Sequence, residues 1–187
     1  MKIEIIAGSS RKQSLSIRVA KNLLTTLQTR TEHNVGLIAV NQIAMPFVEK
    51  AYSRPEDAPK EIRPYAQRVF EADAFILCTP EYNGSYTPAM KNFLDHFPKQ
   101  VHKPFGLVTA SPGAMGGMRA AQQLLQMVPA FFGIASPFML IVPGVDEKFA
   151  EDGELKALSF QQNIDTFVHE FLWLAENLTV AKGVEIS

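Results

Sequence analysis

A three-layer, doubly wound α/β fold around a five-stranded parallel sheet is what this sequence predicts, on two observations. Five near-continuous apolar runs of strand length recur along 187 residues, and each leads through a turn into a segment of helical period. Strands that are apolar on both faces must be covered on both faces, which crossover helices achieve for a parallel sheet. No internal repeat, low-complexity tract or linker interrupts the pattern, so residues 1–187 are expected to form one domain.

The first run, "IEIIA" (3–7), is rich in isoleucine and too short for a stable helix. Ile17, Ala20, Leu24 and Leu27 then recur at the spacing of one helix face. "VGLIAV" (35–40) reads as the second strand, followed by a loop with Pro46, Pro55 and Pro59. A helix bearing Ile62, Tyr65, Ala66, Val69 and Phe70 comes next, and Pro64 marks either its start or a kink within it. "DAFILCT" (73–79) is the third strand, ending at Pro80. Thr87-Pro88 is a helix-start signal, a hydroxyl cap followed by a proline whose missing N–H costs nothing there. Met90, Phe93, Leu94 and Phe97 give that helix its apolar stripe.

"FGLVTA" (105–110) is the fourth strand, and Ala120, Ala121, Leu124, Leu125 and Val128 mark the helix after it. "FMLIV" (138–142) is the fifth. Ile164, Phe167, Val168, Phe171, Leu172, Ala175 and Leu178 form one continuous face on the last helix. Five such units suit the flavodoxin-like strand order 2-1-3-4-5, in which a ligand sits beyond the carboxyl ends of the strands, beside strands 1 and 3.

Composition narrows the partners. With a formal net charge of −1, the molecule's field attracts neither nucleic acid nor an acidic membrane surface. The lone Cys78 rules out an internal disulfide and a cysteine-built metal site, and its place in an apolar strand reads as core. No secretory signal is visible, and no stretch approaches the ~20 apolar residues a membrane helix needs. A cytoplasmic location is the default expectation.

The predicted topology gathers the loops after strands 1, 3 and 4 on one edge, and these are the loops of unusual sequence. In "GSSRKQS" (8–14), amides at a helix start, serine hydroxyls and the Arg11 guanidinium suit a tetrahedral anion, while Gly8 lets the chain leave the strand tightly. The alternative is that the serines only cap the helix and Arg11 is a solvated charge. The loop matches neither the Walker pattern nor G-x-G-x-x-G.

In "TPEYNGSYTP" (79–88), Tyr82 can lie against a flat ring or pack on the next helix. In "SPGAMGGMR" (111–119), Gly113, Gly116 and Gly117 open the backbone to a planar ligand, with Ser111 available to hydrogen-bond, or simply lend flexibility. Together the three loops offer an anion seat, an aromatic neighbour and an open backbone wall. Flavin mononucleotide (FMN) fits all three.

These segments resemble those of the NAD(P)H-dependent FMN reductase family, which includes soluble quinone, chromate and azo-dye reductases. "GSSRKQSLS" is similar to its Gly-Ser-x-Arg-x-x-Ser loop, "TPEYNGS…KNFLD" to its Pro-Glu-Tyr-Asn signature, and "SPGAMGGMRAAQQL" to its Gly-x-x-Gly-Gly-x-Arg-Ala segment. The resemblance extends over roughly residues 3–130. It implies phosphate contacts from Ser9, Arg11, Ser14 and Ser16 with the Leu15 amide. It also implies isoalloxazine contacts from Pro80, Glu81, Tyr82, Asn83 and Gly84, with Ser111 and Gly113 at the pyrimidine end. Ser16 stands where many relatives carry asparagine, and Thr87-Pro88 varies the usual loop ending.

The activity so implied is hydride transfer from NADPH or NADH through FMN to a small-molecule electron acceptor such as free flavin, a quinone, an azo compound or chromate. One site serving both substrates in turn implies ping-pong kinetics. Relatives are homodimers or dimers of dimers, and the helices after Pro88 and Gly117 are expected contact faces. No side-chain nucleophile or acid–base pair is needed. "GSS" is no nucleophile elbow, and His33, His96, His102 and His169 show no metal spacing. "DEKFAEDGE" (146–154) reads as a solvated loop, and Trp173 as core or interface. A non-enzymatic flavodoxin-type electron carrier is the rival class. Such carriers are strongly acidic and tend to lack a guanidinium in the phosphate loop, unlike this chain.

Overall fold

The computed structural model describes residues 1–181. Strands β1 (Lys2–Ala7), β2 (Asn34–Ala39), β3 (Ala74–Thr79) and β4 (Pro104–Ser111) form the body of a parallel sheet. Its order is β2-β1-β3-β4, and the far edge is shared by two short pieces, β5 (Ile134–Ala135) and β6 (Leu140–Pro143). Both pieces pair with β4 in parallel, β5 opposite Pro104 and Phe105, β6 opposite Val108 to Ser111. The fifth strand of the sequence reading is therefore one interrupted edge strand. It breaks around Ser136 and Pro137, where a proline has no N–H to give to a ladder.

Helices α1 (Ser16–Arg30) and α6 (Gln161–Ala181) cover one face of the sheet. Helices α2 (Arg63–Glu71), α3 (Pro88–Asp95) and α4 (Met118–Ala130) cover the other. Alternate residues of each strand enter opposite layers: Ile5, Ile76 and Val108 face α1 and α6, whereas Ile6, Leu77 and Leu107 face the other three helices. Buried phenylalanines thicken both layers, Phe167 and Phe171 on α6 and Phe75, Phe93 and Phe105 opposite. Each contributes about 1.5–3 kcal/mol of burial.

Pro64 lies in the first turn of α2, so it begins that helix and does not kink it. Thr87 caps α3, its hydroxyl accepting from the Met90 N–H at 3.1 Å. On α1 the buried face centres on Val19, Ala20, Leu23 and Leu27, with Ile17 and Leu24 on its flanks. Leu125 and Trp173 point to solvent, 43% and 57% exposed, so neither is a core residue. A short helix, α5 (Val145–Lys148), follows β6. The segment after it is not free: Phe149 is fully buried, and Arg18, Lys21 and Asn22 of α1 donate to the carbonyls of Phe149, Glu151 and Gly153.

Candidate functional site

A cleft of about 290 Å³ opens at the carboxyl ends of β1, β3 and β4. It is lined by Ser9, Arg11, Ser14, Leu15 and Ser16 from the first loop, Pro80, Glu81 and Tyr82 from the second, and Ser111 from the third. The three loops thus meet as the topology predicts. Gln13, Ala110 and Pro112 complete the lining and were not singled out in the sequence. Asn83, Gly84 and Gly113 stand outside it.

The first loop is shaped by what it leans on. Gly8 continues the β1–β3 pairing, its N–H donating to the Cys78 carbonyl at 2.8 Å. A Cβ on Gly8 would lie 2.4 Å from Met90 Cε, so the glycine serves close approach of α3 and not a special turn. Thr87 donates its hydroxyl to the Gly8 carbonyl and binds the α3 cap to the same spot. Asn41, just past β2, donates to the Arg11 carbonyl at 2.8 Å. It is a supporting residue with no signal in its own sequence neighbourhood.

Ser9, Ser14 and Ser16 are all buried. The Ser14 hydroxyl accepts from the Ile17 N–H at 3.3 Å and pairs with the Ser16 hydroxyl at 3.1 Å, while the Ser9 hydroxyl accepts from the Arg11 N–H at 3.3 Å. Helix capping and anion seating are therefore not exclusive. A hydroxyl offers one proton and two lone pairs, and each of these has capacity left.

In the second loop, Tyr82 and Ser85 exchange both backbone hydrogen bonds (2.8 and 3.1 Å) across Asn83 and Gly84, whose φ angles are +50° and +83°. This two-residue turn needs left-handed backbone at both central positions, which Asn and Gly adopt most readily. Asn83 and Gly84 therefore hold Tyr82 in place from behind. The Arg11 guanidinium lies over the Tyr82 ring, 4.9 Å from its centroid, bridging the two loops. The Tyr82 hydroxyl is buried without a partner. Glu81 turns its carboxylate to α4, accepting from the Arg119 N–H at 3.2 Å with the guanidinium at 3.6 Å.

In the third loop, the Ser111 hydroxyl accepts from the Gly113 N–H at 3.1 Å. Gly116 and Gly117 do not form a ligand wall. Both are buried with positive φ, and Cβ atoms there would meet the Pro143 nitrogen at 2.7 Å and Thr109 Cβ at 2.9 Å. They let the start of α4 seat on β4 and β6.

Beneath the cleft, burial pushes the Cys78 thiol up to about 12, and its Sγ–H donates to the Ser16 carbonyl at 3.3 Å. This is a core thiol with no nucleophilic character. Among the described residues no cluster of three or more His, Cys, Asp or Glu could hold a metal ion, and no helix is long and apolar enough to cross a membrane.

The cleft suits an amphipathic ligand, with a guanidinium and hydroxyls at an anionic end and an aromatic ring at a flat end. The partnerless Tyr82 hydroxyl and the unspent serine hydroxyls are what such a ligand would satisfy. FMN fits this donor set.

A family model described as NADPH-dependent FMN reductase matches residues 1–143. An NADPH azoreductase of a Bacillus species is 28% identical over 157 residues, covering 83% of this chain and 82% of its own. A quinone reductase of Escherichia coli is 30% identical over 134 residues, 68% of this chain and 69% of its own. Among solved structures, a flavoenzyme NAD(P)H:(acceptor) oxidoreductase from Paracoccus denitrificans superposes with a TM-score of 0.77 at 23% identity, covering 94% of this chain and 97% of the other. That likeness establishes the flavodoxin-like fold.

Proposed function

Because the chain belongs to the NADPH-dependent FMN reductase family, we propose that its cleft holds FMN and that both substrates, the nicotinamide and a small acceptor, use that one cleft in turn. The observation that carries this reading is the meeting of Arg11, three buried serines and Tyr82 around a single opening. When bound, FMN would supply the two-electron redox chemistry that links NADPH or NADH to the acceptor.

The chain's own groups bind and orient. Arg11 offers a guanidinium fork to the phosphate, and the Ser9, Ser14 and Ser16 hydroxyls with the Leu15 amide fill the remaining donor positions. Pro80, Glu81, Tyr82, Asn83 and Gly84 would face or support the ring, with Ser111 and Gly113 at the pyrimidine end. For Asn83, Gly84 and the Glu81 carboxylate the hydrogen bonds above favour support over contact. Stacked on Tyr82, the Arg11 guanidinium keeps its in-plane N–H groups free for a phosphate at the same opening.

The relatives named azoreductase and quinone reductase point to quinones and azo compounds as acceptors, with free flavin and chromate as further acceptors a reduced flavin suits. A homodimer or dimer of dimers belongs to the proposal. The apolar residues of α3 are spent on the core, whereas Met115, Met118 and Leu125 are exposed on and before α4, which favours α4 over α3 as a contact face. Sedimentation of a monomer at micromolar concentration would remove this part.

The test is direct. Purified protein should quench FMN fluorescence at one site per chain, and Arg11→Ala should weaken that binding by about 30-fold, the loss of one charge-assisted contact. With FMN bound, NADPH oxidation should need an acceptor and give parallel double-reciprocal lines when menadione is varied. Absence of FMN binding rejects the reading, and binding without turnover hands the case to an electron carrier.

A further inference from the structure

Arg11 is held from three sides. Its N–H donates to the Ser9 hydroxyl at 3.3 Å, and its carbonyl accepts from the Asn41 side chain at 2.8 Å. Its guanidinium lies over the Tyr82 ring, 4.9 Å from the centroid. The ring is fixed in turn, because Tyr82 and Ser85 exchange backbone hydrogen bonds across the left-handed pair Asn83 and Gly84. Arg11 is exposed, yet among the described residues no carboxylate pairs with it.

An unrestrained arginine samples many rotamers, and a ligand that uses it must freeze them at a cost. Here a ring from the second loop already holds the guanidinium of the first. The five N–H groups of a guanidinium lie in its own plane, so a ring against its flat face blocks none of them. Arg11, Tyr82 and the buried serines line one opening, and the cation meets an anion there with little reordering.

We propose that Tyr82 and Asn41 are positioning residues, which hold Arg11 for the phosphate end of the ligand and so set a preference for FMN over riboflavin. The proposal rests on the reading of the cleft as the FMN site. Riboflavin is FMN without its phosphate and shares its ring and ribityl chain. A residue that only touches the ring therefore weakens both flavins alike, whereas one that acts through Arg11 weakens FMN more. Asn41 stands just past β2, outside the cleft lining, so its effect on a flavin must pass through the Arg11 backbone.

Fluorescence titration of both flavins against single and double variants tests it. Tyr82→Leu should lower the FMN:riboflavin affinity ratio about fivefold, the worth of an exposed cation–π contact. Tyr82→Phe keeps the ring face and should leave the ratio within about twofold of wild type. Asn41→Ala should lower the ratio about threefold with riboflavin affinity unchanged. In the Arg11→Ala background, Tyr82→Leu should weaken the two flavins equally, because the partner it acts through is gone.

A ratio unmoved by Tyr82→Leu overturns the proposal, as does an extra loss for FMN that persists without Arg11. If Tyr82→Phe loses as much as Tyr82→Leu, the buried Tyr82 hydroxyl meets the phosphate directly and the positioning role falls. Should Tyr82→Leu fail to fold, the exposed Asn41 decides, and an unchanged ratio in Asn41→Ala rejects the proposal. Wild-type protein that binds neither flavin rejects the FMN reading and this assignment with it. Binding of both flavins with parallel losses in the variants rejects the assignment alone.

Discussion

Polar groups lie beneath the surface at both ends of the sheet, and the two ends spend them differently. Toward the amino-terminal end of β1, the nearly buried Glu4 accepts from Arg68 Nε at 2.9 Å and from Nη2 at 2.5 Å. Gly36 makes room for the pair, since a Cβ there would fall 2.4 Å from Arg68 Nη2. Both carboxylate oxygens are used. At the carboxyl end, the serines of the first loop retain donors and lone pairs, and Tyr82 has a buried hydroxyl with no partner.

The groove over the ion pair, about 480 Å³, is larger than the 290 Å³ cleft. Size therefore does not identify the site here. Unspent hydrogen-bonding capacity gathered around one opening does: Asn22, Thr109 and Ser136 also hold unpaired buried atoms, but only Tyr82 and the first-loop serines share a cleft.

The sharpest way to break this comparison is to remove one partner at each end. Arg68→Ala leaves the Glu4 carboxylate buried and unpaired, and should destabilise the protein by about 3 kcal/mol while FMN affinity stays within about twofold of wild type. Arg11→Ala should do the reverse, weakening FMN as described while moving stability by less than about 0.5 kcal/mol. Urea unfolding of the apoprotein and FMN titration, run on both variants, give the four numbers. Equal losses of FMN affinity in the two would erase the distinction between a self-satisfied pair and a receptive site.

The glycines of the third loop sharpen it further. Gly117 combines a φ of +90° with a neighbour 2.9 Å from any Cβ, so Gly117→Ala should cost about 2 kcal/mol of stability. At Gly113 the nearest atom to an added Cβ is Ser111 Oγ at 3.5 Å, and the same substitution should cost less than about 0.5 kcal/mol. If Gly113→Ala proves the more destabilising in thermal unfolding, the division between packing and site glycines is wrong.

These glycines also mark where sequence reading runs out. Strand order and the gathering of three loops were legible because apolar period and crossover topology are properties of the chain itself. Thr87 and Pro88 announced α3 for the same local reason. What a glycine faces is not local. Gly8, Gly116 and Gly117 look alike on paper, yet each is required by a different distant neighbour: Met90, Pro143 and Thr109.

The buried face of α1 slipped by similar logic. Ile17 and Leu24 have the right spacing, but Val19 and Leu23 share that period, and the strap from Arg18, Lys21 and Asn22 to residues 149–153 decides the rotation. That strap also turns an acidic stretch that reads as solvated loop into a fixed wall. The broken edge strand was hidden because Ile134 and Ala135 are too few to make a periodic signal.

The last expected effect lies between the two ends, at Cys78, and is read as a slope with pH. Its thiol is fully buried and stays protonated until about pH 12, whereas in the unfolded chain it ionises near its ordinary value of 9.0. Below pH 9 both states hold the proton and the residue gives stability no slope. Above it the unfolded state loses a proton that the folded state keeps, so stability falls as pH rises. The loss between pH 9 and pH 10 is about 1 kcal/mol. Urea unfolding at those two pH values should show a steeper decline for the wild type than for Cys78→Ala, whose tyrosines and lysines still titrate but which has no thiol. Parallel slopes would mean that water reaches the sulfur through the floor of the cleft. The boundary between sealed core and receptive site would then have to be drawn deeper than Ser16.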